Sequence, residues 1–180
     1  LADVEIKVVD EYGNEVACGE PGEVIARGER VMAGYWKDEE RTKNTKKGGW
    51  IYTGDLGYLD DEGYLFLSGR ASDMIIRAGE NIAPDEVEKV LSKHPAVEEC
   101  AVFGVPDGEW GETVAAAVVL KARATASENE LQEWCRRELA SYKKPESIVF
   151  RIELPHNPLG KLLRRELREA HTAPAVATSL

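Results

Sequence analysis

The sequence predicts an α+β fold, and two observations lead there. Up to residue 70, apolar and polar residues alternate between turn-forming clusters, which is the period of half-buried strands. Beyond residue 70, apolar stripes at helical spacing, with capping residues, alternate with short apolar runs. Val4 to Val9 is the first strand, Asp10-Glu11-Tyr12-Gly13-Asn14 supplies turn chemistry, and Gly22 to Ala26 resumes the extended pattern. Asp38 to Gly49 is charged and predicts a short helical turn, which Gly48-Gly49 ends before Trp50. Tyr58-Leu59 and Tyr64-Leu65-Phe66-Leu67 flank an Asp/Gly-rich turn and predict a hairpin.

After residue 70, Met74-Ile75-Ile76 reads as a short strand and Ala78-Gly79-Glu80-Asn81 as a turn. Pro84 opens a helix whose first turns carry Asp85, Glu86 and Glu88, favourable to the helix dipole, with Val87, Val90 and Leu91 as its apolar stripe. Val97 to Val105, Thr113 to Leu120 and Ile148 to Leu154 read as three strands. Between the last two, Ser127 caps a helix with Glu130 at the capping-box position and Leu131, Trp134, Cys135 and Leu139 on one face. Lys161 to His171 predicts a final helix. The expectation is a domain of about 100 residues with a central three-stranded sheet flanked by helices. Residues 172–180 are expected to form a flexible tail.

Composition narrows the function classes. Of 180 residues, 43% are hydrophobic and 31% charged, and 23 Lys and Arg face 33 Asp and Glu, for a net charge of -10. That acidity argues against broad nucleic-acid binding, which rests on phosphate neutralisation. No run approaches the roughly 18 apolar residues of a membrane span, and no secretory-signal pattern opens the chain, so a cytoplasmic location is expected. Cys18, Cys100 and Cys135 lie far apart in no metal-ligand spacing and predict reduced, structural thiols. His94, His156 and His171 sit in unrelated settings and read as structural. Residues 141–171 are locally basic, with seven cations against four acids. Residue 1 is Leu, and the chain is expected to be part of something longer.

Three glycine-flanked polar motifs remain. In Trp50-Ile51-Tyr52-Thr53-Gly54-Asp55, the Asp either caps a turn or accepts hydrogen bonds from two adjacent hydroxyls, as a ribose diol presents. The second motif runs from Gly69-Arg70 through Ala78-Gly79 to Glu88. The third is Leu154-Pro155-His156-Asn157-Pro158-Leu159-Gly160-Lys161, in which a Pro/Gly-rich loop precedes one lysine. In this order and spacing they resemble the adenylate-forming superfamily of acyl-CoA synthetases, adenylation domains and luciferases. Gly22-Glu23, Gly28, Val31 and Gly34-Tyr35 resemble that family's preceding strand motif, so the likeness runs to about residue 171.

The resemblance implies that residues 1–70 end a large N-terminal domain and that residues 71–171 form its small, mobile C-terminal domain. It implies an AMP-forming acid:CoA ligase using ATP, Mg²⁺ and CoA: a carboxylic acid is converted to an acyl-adenylate and then to a thioester. The family's catalytic lysine falls on Lys161, its ribose-binding carboxylate on Asp55, and its hinge arginine on Arg70. Ser72 stands at the pivot, where the family usually has Asp or Lys, and Ile76, which stands where many members have Lys, is expected in the core of its strand. Ala78 and Gly79 match the loop lining the pantetheine tunnel, with Glu80 and Asn81 shaping it. Trp110 matches an adenine-stacking aromatic, and Tyr142 and Lys144 match the aromatic and cation offered to CoA. The phosphate loop, the Mg²⁺ ligand and the acyl pocket are expected upstream, so this chain alone is expected to be inactive. The motifs lean toward aryl or fatty acids. An adenylation domain loading a carrier protein is the alternative, and a non-enzymatic binding module is a third reading that leaves Lys161, Asp55 and Arg70 unexplained.

Overall fold

A computed structural model describes residues 3–172, and in it the alternating segments of the first seventy residues pair into one antiparallel sheet. Its strands are β1 (Val4–Val9), β2 (Gly22–Gly28), β3 (Lys46–Lys47), β4 (Trp50–Leu59) and β5 (Leu65–Arg70), with helix α1 (Glu39–Thr45) between β2 and β3. Strand β4 is central: β2 pairs along one edge, while β3 and then β5 share the other. One device closes both flanking turns. Asp10 Oδ1 accepts from the amides of Tyr12 and Asn14 at 2.9 and 2.8 Å, and Asp60 Oδ1 accepts from those of Glu62 and Tyr64 at 3.0 and 2.8 Å. At Asp10 the hydrogen bonds favour the ionised form, and the Asn14 side chain is the largest influence holding the carboxyl below its ordinary range. Asp38 caps α1 by accepting from the Arg41 amide at 3.0 Å.

The chain divides into two compact units between Ser72 and Asp73. The second unit contains β6 (Ile75–Arg77), β7 (Glu80–Ile82), α2 (Pro84–Leu91), β8 (Val97–Asp107), β9 (Gly111–Leu120), α3 (Glu128–Glu138), β10 (Ser147–Arg151) and α4 (Arg164–Thr172). The three predicted strands are β8, β9 and β10. Strand β8 pairs antiparallel and β10 parallel to β9, and the β6–β7 hairpin joins through the Arg77–Gly111 pair to make five strands.

Strand β9 is buried on both sides. Val114, Ala116 and Val118 join Val87, Leu91, Leu131 and Cys135 in one core, while Ala115 and Ala117 join Phe103, Leu154 and Leu167 in the other. Helices α2 and α3 thus cover one face and α4 the other, which explains why β9 reads as a nearly continuous apolar run. Trp134 packs against the first core, with its indole N–H donating to the Val90 carbonyl at 2.9 Å, as its helical spacing predicts.

Several expectations need correction. The turn after β6 is tighter than four residues: Ala78 and Gly79 alone make it, at φ 50° and 86°, so Glu80 and Asn81 lie in β7. Ile76, expected in the core, is exposed, because the alternation of β6 turns Ile75 inward instead; β10 ends at Arg151 instead of Leu154, and Ile152 is fully exposed. The final helix begins at Arg164, which leaves Lys161 in a loop. Glu130 forms only half of a capping box: its amide donates to Ser127 Oγ at 3.2 Å, but its carboxylate faces His94 Nε2 at 3.5 Å. The predicted flexible tail from residue 173 onward lies outside the described residues.

Glu88 is more than a helix-dipole carboxylate. It accepts from the Val102 amide at 2.7 Å and from Arg164 Nη2 at 2.8 and 2.9 Å, so it ties α2 to β8 and α4. Burial pushes its carboxyl above the ordinary range, against the pull of the Val102 amide and Arg164. Glu88→Met should cost about 3 kcal/mol in urea unfolding, because it leaves the Val102 amide without its acceptor and takes from Arg164 the nearest of its three carboxylates, and adding Arg164→Met should cost less than the sum of the two single losses. The folded carboxyl keeps its proton to higher pH than the unfolded one, so this group's share of stability falls as pH rises past the ordinary glutamate range. Glu88→Gln should remove that slope. The thiols provide a second check. Burial raises Cys100 to about 12 and Cys135 to about 11, so at pH 8 iodoacetamide should leave both unlabelled in the folded protein and label both in denaturant, as read by peptide mass.

Candidate functional site

In the first unit, the Thr53-Gly54-Asp55 motif is a bulge in β4. The β2–β4 register jumps between Glu23 and Ile25, and Gly54 takes φ 72°, a left-handed conformation that favours glycine. Strand β2 holds the bulge: Thr53 Oγ1 donates to the Val24 carbonyl at 2.7 Å, and Glu23 Oε1 accepts from the Gly54 amide at 3.0 Å. Gly22 is needed because a Cβ there would lie 2.4 Å from the Val9 carbonyl oxygen. The Gly22-Glu23 motif therefore has a structural purpose, which is to shape the Asp55 turn.

Asp55 and Arg70 are cross-strand partners on β4 and β5. Arg70 Nε lies 3.2 Å from Asp55 Oδ1, and its Nη2 donates to the Thr53 carbonyl at 2.9 Å. The Asp55 carboxylate thus faces Arg70 instead of capping its own turn. Both side chains stay partly exposed, so a ligand's hydroxyls can reach the carboxylate from solvent. Ser72 lies in the single 3₁₀ turn Ala71–Asp73 that follows β5.

In the second unit, the remaining candidates fall into two groups. Ala78, Gly79, Trp110, Tyr142 and Lys144 lie on segments tied together at one end of the sheet. The Ala78 amide donates to the Trp110 carbonyl at 2.8 Å. Trp110 sits in the β8–β9 turn, where Asp107 Oδ1 accepts from the Glu109 and Trp110 amides, each at 2.9 Å. The Trp110 amide is the main influence holding the Asp107 carboxyl below its ordinary range. Trp110 is 42% exposed and Tyr142 36% exposed. Just beyond Lys144, Glu146 donates its amide to the Val114 carbonyl at 2.8 Å, which brings the 142–146 segment to the same end of β9. Lys143 is occupied structurally, with Nζ 2.7 Å from Glu86 Oε2, while Lys144 is half-buried.

Lys161 stands in a separate loop. Asn157 Oδ1 accepts from the Leu159 and Lys161 amides at 3.0 and 2.8 Å, and the Asn157 amide donates to the Lys161 carbonyl at 2.9 Å. Gly160 adopts φ 79° to close the turn. His156 Nε2 lies 2.9 Å from Glu99 Oε1 and anchors the loop to β8. The backbone at Lys161 is therefore fixed while its side chain projects exposed. The loop chemistry explains why the helix starts later than its apolar spacing suggests.

Arg77 joins the Trp110 group, although the motifs assign it no role. Its guanidinium lies 5.8 Å from the Trp110 ring centroid and pairs with Glu146, and only 13% of its side chain is exposed. An arginine within an otherwise apolar strand was the available signal. Among the described residues, no group of three or more His, Cys, Asp or Glu side chains could hold a metal ion. No helix among them is long and apolar enough to cross a membrane.

Residues 86–161 match the family model of the AMP-binding enzyme C-terminal domain. The chain is 46% identical over 165 residues to a long-chain-fatty-acid–CoA ligase of Escherichia coli O157:H7, covering 92% of this chain and 29% of that protein. It is 48% identical over 156 residues to a 2-succinylbenzoate–CoA ligase of Geobacillus kaustophilus, covering 87% of this chain and 32% of that one. Among solved structures, ATP-bound MatB from Rhodopseudomonas palustris superposes with a TM-score of 0.92 at 37% identity, covering 95% of this chain and 34% of the other. The amide bond synthetase McbA from Marinactinospora thermotolerans superposes with a TM-score of 0.88 at 38% identity, covering 95% and 35%. The chain thus spans about a third of the length of the curated relatives it matches. The motifs, the fold and these likenesses agree, and the chain belongs to the adenylate-forming, AMP-binding superfamily of acyl-CoA synthetase type, as its C-terminal portion.

Proposed function

We propose that the full-length protein is an AMP-forming acid:CoA ligase and that this chain supplies the end of its adenylation domain and its C-terminal lid domain, with Ser72 at the pivot. The observation that carries the choice of CoA is the exposed Trp110 platform, placed beside the Ala78–Gly79 turn and the Tyr142–Lys144 segment. An exposed indole offers a π-face to adenine, a glycine turn lets the backbone approach a narrow thiol arm, and a lysine offers a point charge to phosphate. A carrier protein presents phosphopantetheine without adenine and has no use for that face. That difference sets the ligase reading above the carrier-loading one. Relatives named for long-chain fatty acids and 2-succinylbenzoate support a fatty or aryl acid as substrate. Three free cysteines suit a reducing, cytoplasmic setting.

In the first half-reaction, a carboxylate oxygen attacks the α-phosphorus of ATP, and the bond to pyrophosphate breaks. Asp55 accepts from the ribose hydroxyls, with Arg70 holding the carboxylate in place and adding positive charge on the phosphate side. Lys161 brings its ammonium between the acid and the α-phosphate, two anions that repel each other without it. In the second half-reaction, the CoA sulfur attacks the acyl carbon, and the carbon–oxygen bond to AMP breaks. Trp110 and Lys144 hold the nucleotide end of CoA while Ala78 and Gly79 line the path of its thiol arm.

The deciding experiment incubates the full-length protein with ATP, Mg²⁺ and a panel of fatty, aryl and amino acids, following pyrophosphate release and CoA thioester formation separately. Both products from one acid support the ligase. Pyrophosphate without thioester moves the carrier-protein reading ahead. Lys161→Ala should lower adenylate formation by about 10² or more while leaving thioester formation from preformed adenylate largely intact, and equal losses would remove its assigned role. Trp110→Ala should raise the KM for CoA about tenfold, with the KM for ATP unchanged.

A further inference from the structure

Arg77 has an environment that stability alone explains poorly. It lies near the end of the β6–β7 hairpin, one residue before the Ala78–Gly79 turn, and is the one residue of β6 that pairs with β9. Its guanidinium reaches two other segments at once. One contact is the Trp110 ring, at 5.8 Å from the centroid, and the other is the Glu146 carboxylate, two residues beyond Lys144. It also contributes, after the two backbone bonds, to holding down the Asp107 carboxyl that shapes the Trp110 turn. These three segments carry all five residues assigned to CoA.

The pair is also costly. The Arg77 side chain is largely buried, and its Nη1 is buried without a hydrogen-bond partner among the described residues. A buried, incompletely satisfied cation is a poor stability device, since burying a charge costs more than one ion pair returns. An apolar residue would pack beneath the indole at lower cost. An arginine gives instead a cation within cation–π distance of the indole that at the same time pairs with a carboxylate on another segment, which ties the ring to the 142–146 segment.

We propose that Arg77 is a positioning residue of the CoA site. By holding the Trp110 plane, the Ala78–Gly79 turn and the 142–146 segment in one arrangement, it sets the affinity for the adenine-nucleotide end of CoA and takes no part in adenylation. This inference rests on the CoA-ligase reading. A stacking platform left free to turn pays the entropy of ordering when the nucleotide binds, so loosening it weakens binding without touching the thiol chemistry.

The test uses the full-length protein and measures acid-dependent ATP–pyrophosphate exchange and CoA thioester formation side by side. Arg77→Met should raise the KM for CoA tenfold or more, with pyrophosphate exchange and kcat at saturating CoA within twofold of wild type. Arg77→Lys should recover part of the loss, because the ammonium keeps the charge opposite Glu146 but has one donor group where the guanidinium fork reaches both neighbours. Glu146→Gln leaves the guanidinium in place and weakens its anchor, so it should raise the KM for CoA severalfold. That variant decides the matter if Arg77→Met does not fold. A KM for CoA within twofold of wild type in these variants, or a proportional loss of both half-reactions, overturns the proposal. Failure of the ligase reading looks different: wild-type protein would form acyl-adenylate and pass it to no CoA at all.

Discussion

Burial of β9 on both faces is the constraint from which the second unit follows. The run Val114 to Val118 sets three alanines between two valines, and these small side chains face α2 and α3 on one side and α4 on the other. A strand covered on both faces must satisfy its backbone within the sheet, which demands partners along both of its edges. Strand β8 takes one edge, and β10 and β6 share the other. Because β6 meets β9 at Gly111 and the segment before β10 meets it at Val114, the turns next to these contacts collect at one end. A core requirement thus assembles the Ala78–Gly79 turn, Trp110 and the 142–146 segment.

Lys161 is placed by a different set of forces. Its loop is closed by the Asn157 side chain and anchored through His156 to Glu99, and α4 begins three residues later. Arg164, in the first turn of α4, bridges Asp73, Asp85 and Glu88, and one turn on Arg168 pairs with Glu112 at 2.6 Å. Glu112 in turn accepts from the Ile76 amide at 2.9 Å. Two cations of the locally basic end, Arg164 and Arg168, therefore bind α4 to acidic partners. Arg164, Arg168 and Lys143 are held by acidic partners inside the unit, while Lys161 is an exposed cation on a fixed backbone.

In the first unit, polar geometry is likewise built before it is used. The bulge at Thr53–Asp55 exists because Glu23 and Val24 of β2 accept its amide and hydroxyl, and Arg70 then fills the space beside Gly54. Asp55 and Arg70 lie fifteen positions apart in sequence, yet the β4–β5 register makes them direct neighbours. Each restrains the other at a site where both remain open to solvent.

What the sequence by itself determined is local. Period-two alternation, Asp/Gly turns and helix-spaced apolar stripes are properties of neighbouring residues, so most strands, the hairpins and the helices could be read directly, and the three glycine-flanked motifs identified the family. Element ends were less legible where a side chain competes for the backbone, as Asn157 does before Lys161 and as the two-residue turn does at Ala78–Gly79. Only the tertiary structure decided which distant groups meet. Glu88 looked like a helix-dipole carboxylate until Val102 and Arg164 closed on it, and Arg77 looked unremarkable in a short strand until Trp110 and Glu146 arrived from 33 and 69 residues away. Such pairings follow from strand order and register, which no local pattern encodes, because they are settled by the packing of the whole core.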